Sequence, residues 1–280
     1  MSKLQQQIQE WWELNPMTYD WNKTLKVPEE TREFFAEIDR RLFDAAFFVQ
    51  QKGHPPFSKL IDYKAMRGKQ VLEIGCGAGA LAAIFAQQQA LISSIDLTHR
   101  AVLYTKRRFK LYALKGNILQ MDAETLGFRD KTFDFVWSWG VIHHSQNTQR
   151  IVSEMYRVLK PGGKASIMVY NRNSIYFWVY LMLFRGIFCG KFLTHSVQKI
   201  CNCYSDGVIA KYYTPRQLEE IFQKSGFSAV KTEIYGQKAD VYPLPGNIRT
   251  WFIQLIPSSI THWLVYNFGC FLYLTASKPK

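Results

Sequence analysis

The sequence predicts an α/β fold built on a doubly wound, mainly parallel sheet. Three observations carry this. From Lys69 onward, short apolar segments of strand length alternate with amphipathic segments of helix length. A glycine-rich turn follows the first of those strands, and carboxylates stand in or just beyond the first three, at Glu73, Asp96 and Asp122. Apolar strands that alternate with helices belong to a sheet covered on both faces.

The elements are read in chain order. Residues 1–66 precede the alternation and form an N-terminal helical extension that lies on the core as a lid. Pro28 sits where a first helical turn tolerates proline, with Glu29 and Glu30 behind it. Phe34, Phe35, Ile38, Leu42, Ala45 and Ala46 follow at helical spacing, and Gly53-His54-Pro55-Pro56 ends the element. Residues 67–280 form the main domain. Its first five strands are predicted at 70–74, 91–96, 116–120, 133–137 and 163–169, with helices at 80–88, 99–114 and 147–159. Pro161-Gly162-Gly163 reads as the turn into the fifth strand. Thr214-Pro215 is a helix start that runs to Ser225 and stops at Gly226. Strands at 228–234 and 270–276 close the domain. Two insertions, at about 171–211 and 236–268, interrupt its C-terminal half.

Composition narrows the class. Hydrophobic residues make up 48% of the 280 and aromatics 15%, which supplies a large core and excludes a disordered chain. The net charge is +13, unevenly placed: residues 1–60 carry 8 Lys/Arg against 9 Asp/Glu, residues 61–160 carry 14 against 8, and residues 161–280 carry 13 against 5. Such a field favours an acidic substrate, a phosphorylated carrier, a membrane surface or nucleic acid. Five cysteines, an odd number, follow an N-terminus with no apolar leader, which predicts reduced thiols in a cytoplasmic protein. Cys201 and Cys203 have no second pair at ligand spacing, so no metal is expected. The stretch 175–193 is strongly apolar, but Arg185, Lys191 and two glycines interrupt it. A spanning helix needs about 20 uninterrupted apolar residues. A buried helix or an interfacial lid with peripheral lipid contact is predicted instead.

The chemistry-bearing segment is Val71-Leu72-Glu73-Ile74-Gly75-Cys76-Gly77-Ala78-Gly79. Glycines let the backbone approach a ligand where a Cβ would clash, and the following helix offers free N–H groups. By itself the turn also satisfies a dinucleotide fingerprint, Gly75-x-Gly77-x-x-Ala80. Glu73 weighs against that reading, because a buried carboxylate beside a diphosphate is repulsive, whereas beside an amino group or sulfonium it is useful. Asp96, 17 residues after Gly79, suits the two hydroxyls of a ribose, and Asp122 suits an adenine amino group.

At this point the chain resembles the class I methyltransferases that bind S-adenosylmethionine, in the subgroup that includes quinone-biosynthesis methyltransferases. The matching segments are VLEIGCGAG at 71–79, SIDLT at 94–98, QMDAETLGF at 120–128, FDFVWSWGVIHH at 133–144 and RVLKPGGKASIMV at 157–169. The resemblance implies a Rossmann-like seven-stranded sheet of order 3-2-1-4-5-7-6 with the last strand antiparallel. It implies S-adenosylmethionine as cofactor, with Glu73, Gly75, Cys76, Gly77 and Gly79 at its methionine portion, Asp96 and Leu97 at ribose, Asp122 and Ala123 at adenine, and Ser138 on the floor beneath the methyl group.

Methyl transfer from a sulfonium is an in-line displacement in which positioning supplies most of the catalysis. A base is needed only where the acceptor must lose a proton, and His143-His144, after the fourth strand, are the candidates. Tyr19, Tyr170 and Arg172 are candidate acceptor contacts, and Trp11, Trp12 and Trp21 belong with Tyr19 to an aromatic N-terminal segment. The fourth strand continues as Ser138-Trp139-Gly140-Val141 where relatives that methylate nucleic-acid amino groups carry Asn/Asp-Pro-Pro-Tyr/Phe, which speaks against nucleic acid. A small-molecule O- or N-methyltransferase is therefore expected, with a lipid-like, polyketide or glycan acceptor. A nicotinamide-dependent oxidoreductase and a non-catalytic S-adenosylmethionine-binding partner protein are the alternatives.

Overall fold

The computed structural model describes residues 2–19, 25–244 and 246–280. The strands are β1 (Gln70–Ile74), β2 (Leu91–Asp96), β3 (Asn117–Gln120), β4 (Phe133–Trp139), β5 (Leu159–Asn171), β6 (Tyr212–Tyr213), β7 (Ser228–Tyr235) and β8 (Phe271–Ser277). They form one sheet in the order β3-β2-β1-β4-β5-β8-β7, with the two-residue β6 paired to the end of β5 outside that path. Pairing is parallel from β3 through β5, and β8 runs antiparallel to both β5 and β7. With β6 set aside, this is the expected order. The sequence order reverses between β2 and β4, on either side of β1, and ligands of such sheets bind at the strand C-termini beside that reversal.

Alternating side chains of each strand feed two cores. Val71, Phe135, Trp137 and Tyr273 join Leu42, Phe48, Phe57 and Phe85 on one face. Leu72, Val136, Ile167 and Leu274 join Ile151, Met155, Leu218 and Phe222 on the other. The N-terminal segment thus contributes directly to one core. Its two long helices are Lys3–Leu14 and Arg32–Ala45, each capped by a hydroxyl, Ser2 or Thr31. Thr98 and Asn147 cap the helices that follow β2 and β4, and Thr214 with Gln217 forms a capping box.

Three expectations change in detail. Pro161-Gly162-Gly163 lies inside β5 rather than before it, because Leu159 already pairs with Phe133; Gly162, at φ +76°, absorbs the register shift. The helix after β2 ends at Leu111 instead of 114. The insertions are regular: a π-helix, Tyr176–Phe188, and a helix, Val197–Tyr204, occupy the first, and helices Gly246–Leu255 and Ser258–Phe268 the second. Among the described residues no helix is long and apolar enough to cross a membrane.

Candidate active site

A cavity of about 230 Å³ opens at the C-terminal ends of β1, β2 and β4. The turn after β1 forms one wall. The N–H groups of Gly75 and Cys76 both donate to the Ile95 carbonyl, at 2.8 and 3.0 Å, which folds the chain back over β2. Gly75 adopts φ +85°, and a Cβ there would lie 2.1 Å from a Val141 methyl. Gly77, at φ +51°, has nothing within 4 Å of where its Cβ would stand, so its backbone faces open space. Gly79 abuts Thr105 and caps the helix at Ala80 without reaching the cavity wall.

Three carboxylates line this wall. Asp96 accepts from the Gly77 N–H at 3.1 Å and from the Thr98 N–H and hydroxyl at 3.0 and 2.8 Å. These contacts fix its orientation, while burial raises its pKa. Glu73 is 3% exposed and accepts from the Ser94 hydroxyl at 2.7 Å. Burial pushes it up to about 8. A carboxyl raised this way ionises when a cation arrives beside it. Asp122 accepts from the Glu124 N–H at 2.9 Å and, through both oxygens, from the Gln5 amide at 3.1 Å. Leu97 and Ala123 stand beside Asp96 and Asp122 on the same wall.

The roof is the helix Lys3–Leu14; the sequence predicts a lid within residues 1–66 but marks neither this helix nor Gln5. Gln5, Ile8 and Trp12 line the cavity, Gln9 donates to the Leu97 carbonyl at 2.9 Å, and Glu13 accepts from the N–H groups of His99 and Arg100 at 2.8 and 3.0 Å. That last contact places a carboxylate on the positive end of a helix. The signal was present: positions 5, 8 and 12 share one helical face.

The opposite wall is apolar and aromatic, with Leu42, Trp139, Met168, Tyr170 and Phe271; Tyr19, at φ +56°, also faces the cavity. His144 lines it, wedged between Trp12 and Tyr170, with ring centroids 5.1 and 5.7 Å away. Its Nδ1 lies 2.6 Å from the Ile209 carbonyl, which only accepts, so Nδ1 carries the hydrogen and Nε2 keeps a free lone pair. Burial lowers this imidazole to about 4, so it is neutral at pH 7.

Besides Gly79, three expected site residues fall elsewhere. His143 is fully buried behind His144, neither ring nitrogen has a partner, and it is absent from the wall. Ser138 turns back into the sheet and donates to the Ile74 carbonyl at 3.1 Å; Trp139, Gly140 and Val141 line the cavity instead, because strand alternation sends Ser138 to the other side. Arg172 lies over the Phe177 ring, 5.6 Å from its centroid, away from the cavity. Trp21 lies outside the described residues.

The residues present fit an adenosyl cofactor with a free amino group. The unobstructed backbone at Gly77 admits a ligand, the buried Glu73 carboxyl suits a cation, and two further carboxylates match ribose and adenine donors. A diphosphate would meet four acids in the same cavity, Glu73, Asp96, Asp122 and Asp206. Fold and site together therefore define a class I methyltransferase domain.

The comparisons with known proteins agree. Residues 72–167 match the family model described as "Methyltransferase domain". A ubiquinone biosynthesis O-methyltransferase of Coxiella burnetii is 29% identical over 108 residues, which cover 39% of this chain and 46% of that one. The chain thus spans about half the length of the curated relatives it matches. A SAM-dependent methyltransferase structure from Methanosarcina mazei superposes with TM-score 0.53 at 18% identity over 76% of this chain and 93% of that one. The [4+2]-cyclase SpnF superposes with TM-score 0.55 at 18% identity over 92% and 85%. Residues 72–167 thus form a methyltransferase domain, the chain is similar to methyltransferases of quinone biosynthesis, and S-adenosylmethionine is the cofactor that this domain indicates.

Proposed function

We propose that the chain transfers a methyl group from S-adenosylmethionine to an oxygen or nitrogen of a small, largely apolar acceptor. The observation that carries this reading is the division of one cavity into a carboxylate-lined wall and an aromatic wall. The cofactor supplies an activated methyl group on a sulfonium. The chain's own residues do the rest. Glu73, Asp96 and Asp122 bind and orient, the helix Lys3–Leu14 excludes water from above, and the aromatic wall holds the acceptor. His144 takes the acceptor's proton at Nε2. A phenol or hydroquinone bearing a lipid tail fits the aromatic wall, and the name of the Coxiella relative supports that class. The segment 175–193, which leaves β5 just after Tyr170, serves as a lipid contact beside the cavity. Five free cysteines fit a cytoplasmic location.

The test has two stages. Calorimetric titration with S-adenosylmethionine, S-adenosylhomocysteine and NAD is expected to give binding of both adenosyl ligands and none of NAD; the reverse pattern overturns the reading. Methyl transfer is then assayed against phenolic acceptors with tails of increasing length. His144→Ala is expected to lower kcat about 100-fold. The wild-type rate is expected to stay flat from neutral pH downward and fall only as pH approaches about 4, where His144 takes up its proton. An unchanged rate in His144→Ala removes the base from the mechanism.

A further inference from the structure

We infer that the two insertions form one face that docks on an anionic lipid bilayer and holds the cavity against it. Among the described residues, every exposed large apolar side chain except Leu14, Leu91 and Leu103 lies in 178–197 or 244–268. Trp178, Phe188 and Leu193 stand out in the first segment, and Trp251, Leu255 and Trp263 in the second, with exposures of 56–90%. Scattered apolar residues on a surface need no explanation, but concentration into two segments does.

The sheet brings the two segments together. β5 ends at Asn171, whose N–H donates to the Cys270 carbonyl at 2.7 Å and whose side-chain amide donates to the Gly269 carbonyl at 2.9 Å. Tyr235, the last residue of β7, pairs with Phe271, the first of β8. Both insertions therefore leave the sheet at one edge, the edge where Tyr170, Gln237 and Phe271 line the cavity. Ile175 from the first insertion and Ile253, Ile256 and Leu264 from the second pack against the same buried cluster.

Charge selects the occupant. No Asp or Glu occurs from 155 to 205 or after Asp240, while Arg185, Lys191, Lys199 and Arg249 fall in or beside the apolar segments. Helices with exposed tryptophans and leucines interleaved with cations lie in the plane of a bilayer interface, and anionic headgroups strengthen their binding. Since no described helix is long enough to cross, the contact is superficial. An acceptor with a lipid tail would then enter from the membrane side.

The test is flotation of the full chain with vesicles of phosphatidylcholine alone and of phosphatidylcholine mixed with phosphatidylglycerol. Binding to the anionic vesicles is expected to be at least about tenfold stronger, and weaker in about 0.5 M salt. The double variants Phe188→Ser/Leu193→Ser and Trp251→Ser/Trp263→Ser are each expected to lose about tenfold in vesicle binding. Their affinity for S-adenosylhomocysteine is expected to stay unchanged, which shows that the domain is folded. A wild-type protein that stays in the aqueous fraction with both vesicle types overturns the inference. So does a dimer in sedimentation that these substitutions split, because the face then joins two copies of the chain. The inference does not depend on the methyl-transfer reading: vesicle binding without turnover sustains it, and turnover without vesicle binding refutes it alone.

Discussion

The carboxylate wall of the cavity and its aromatic wall are assembled differently. Glu73, Asp96 and Asp122 come in or just after three successive strands that pair side by side, β1, β2 and β3. Asp96 is held by Gly77 and Thr98 and Glu73 by Ser94, all from β1, β2 and the turns that follow them, while Asp122 is held by Glu124 and by Gln5 of the roof. The aromatic wall gathers Leu42, Trp139, Tyr170 and Phe271 from distant parts of the chain, with Trp12 of the roof beside it. A wall of the first kind is set by short motifs at strand ends. A wall of the second kind is a product of packing and is free to vary with the acceptor. The superposition on a [4+2]-cyclase illustrates that this fold alone does not choose a reaction.

Substitutions on each wall test that division. The largest effect is expected for Asp96→Ala. This change removes a carboxylate held by three hydrogen bonds, and calorimetry is expected to read a loss of about 100-fold or more in affinity for S-adenosylhomocysteine. A near-normal affinity would break the assignment of this wall to the nucleoside. Trp12→Ala, in the roof beside the aromatic wall, is expected to raise the acceptor KM about tenfold while the affinity for S-adenosylhomocysteine changes by less than about twofold. Equal losses in both would mean that the two walls do not work separately.

The smallest effect concerns proton linkage at Glu73. Its folded pKa, about 8, lies above the ordinary carboxylate value, so the folded protein binds a proton that the unfolded chain has released. The sign follows: stability without ligand falls as pH rises from about 4.5 to about 8, then levels off. Glu73→Gln removes that penalty and is expected to raise Tm at pH 8 by roughly 3–6 °C. The same variant is expected to bind S-adenosylmethionine more weakly. Binding to the wild type near pH 7 is expected to release a proton, read as a dependence of the calorimetric enthalpy on buffer. Independence from buffer would mean that Glu73 does not face the amino group.

Much of this was legible beforehand. The strands and the glycine turn follow from local rules, namely apolar periodicity, the helix start at Thr214 and the run Gly75–Gly79, whereas the strand order is implied only by the family resemblance. Glu73, Asp96 and Asp122 could be named because each lies at a fixed distance from a strand end. Ser138 and His143 were misplaced by the same logic, since a strand end does not reveal which side of the sheet each residue faces. Arg172 was misplaced because an adjacent aromatic, Phe177, captures it.

The sequence by itself thus determined the strands, the cofactor class and the identity of the three acids, because each is marked by a short local motif. Only the tertiary structure decided that the helix Lys3–Leu14 roofs the cavity through Gln5 and Trp12. It also decided that His144 rather than His143 reaches the wall, and that two insertions far apart in sequence share one apolar edge. Those outcomes rest on contacts between distant segments, and a one-dimensional pattern of spacing carries no record of which distant segments meet.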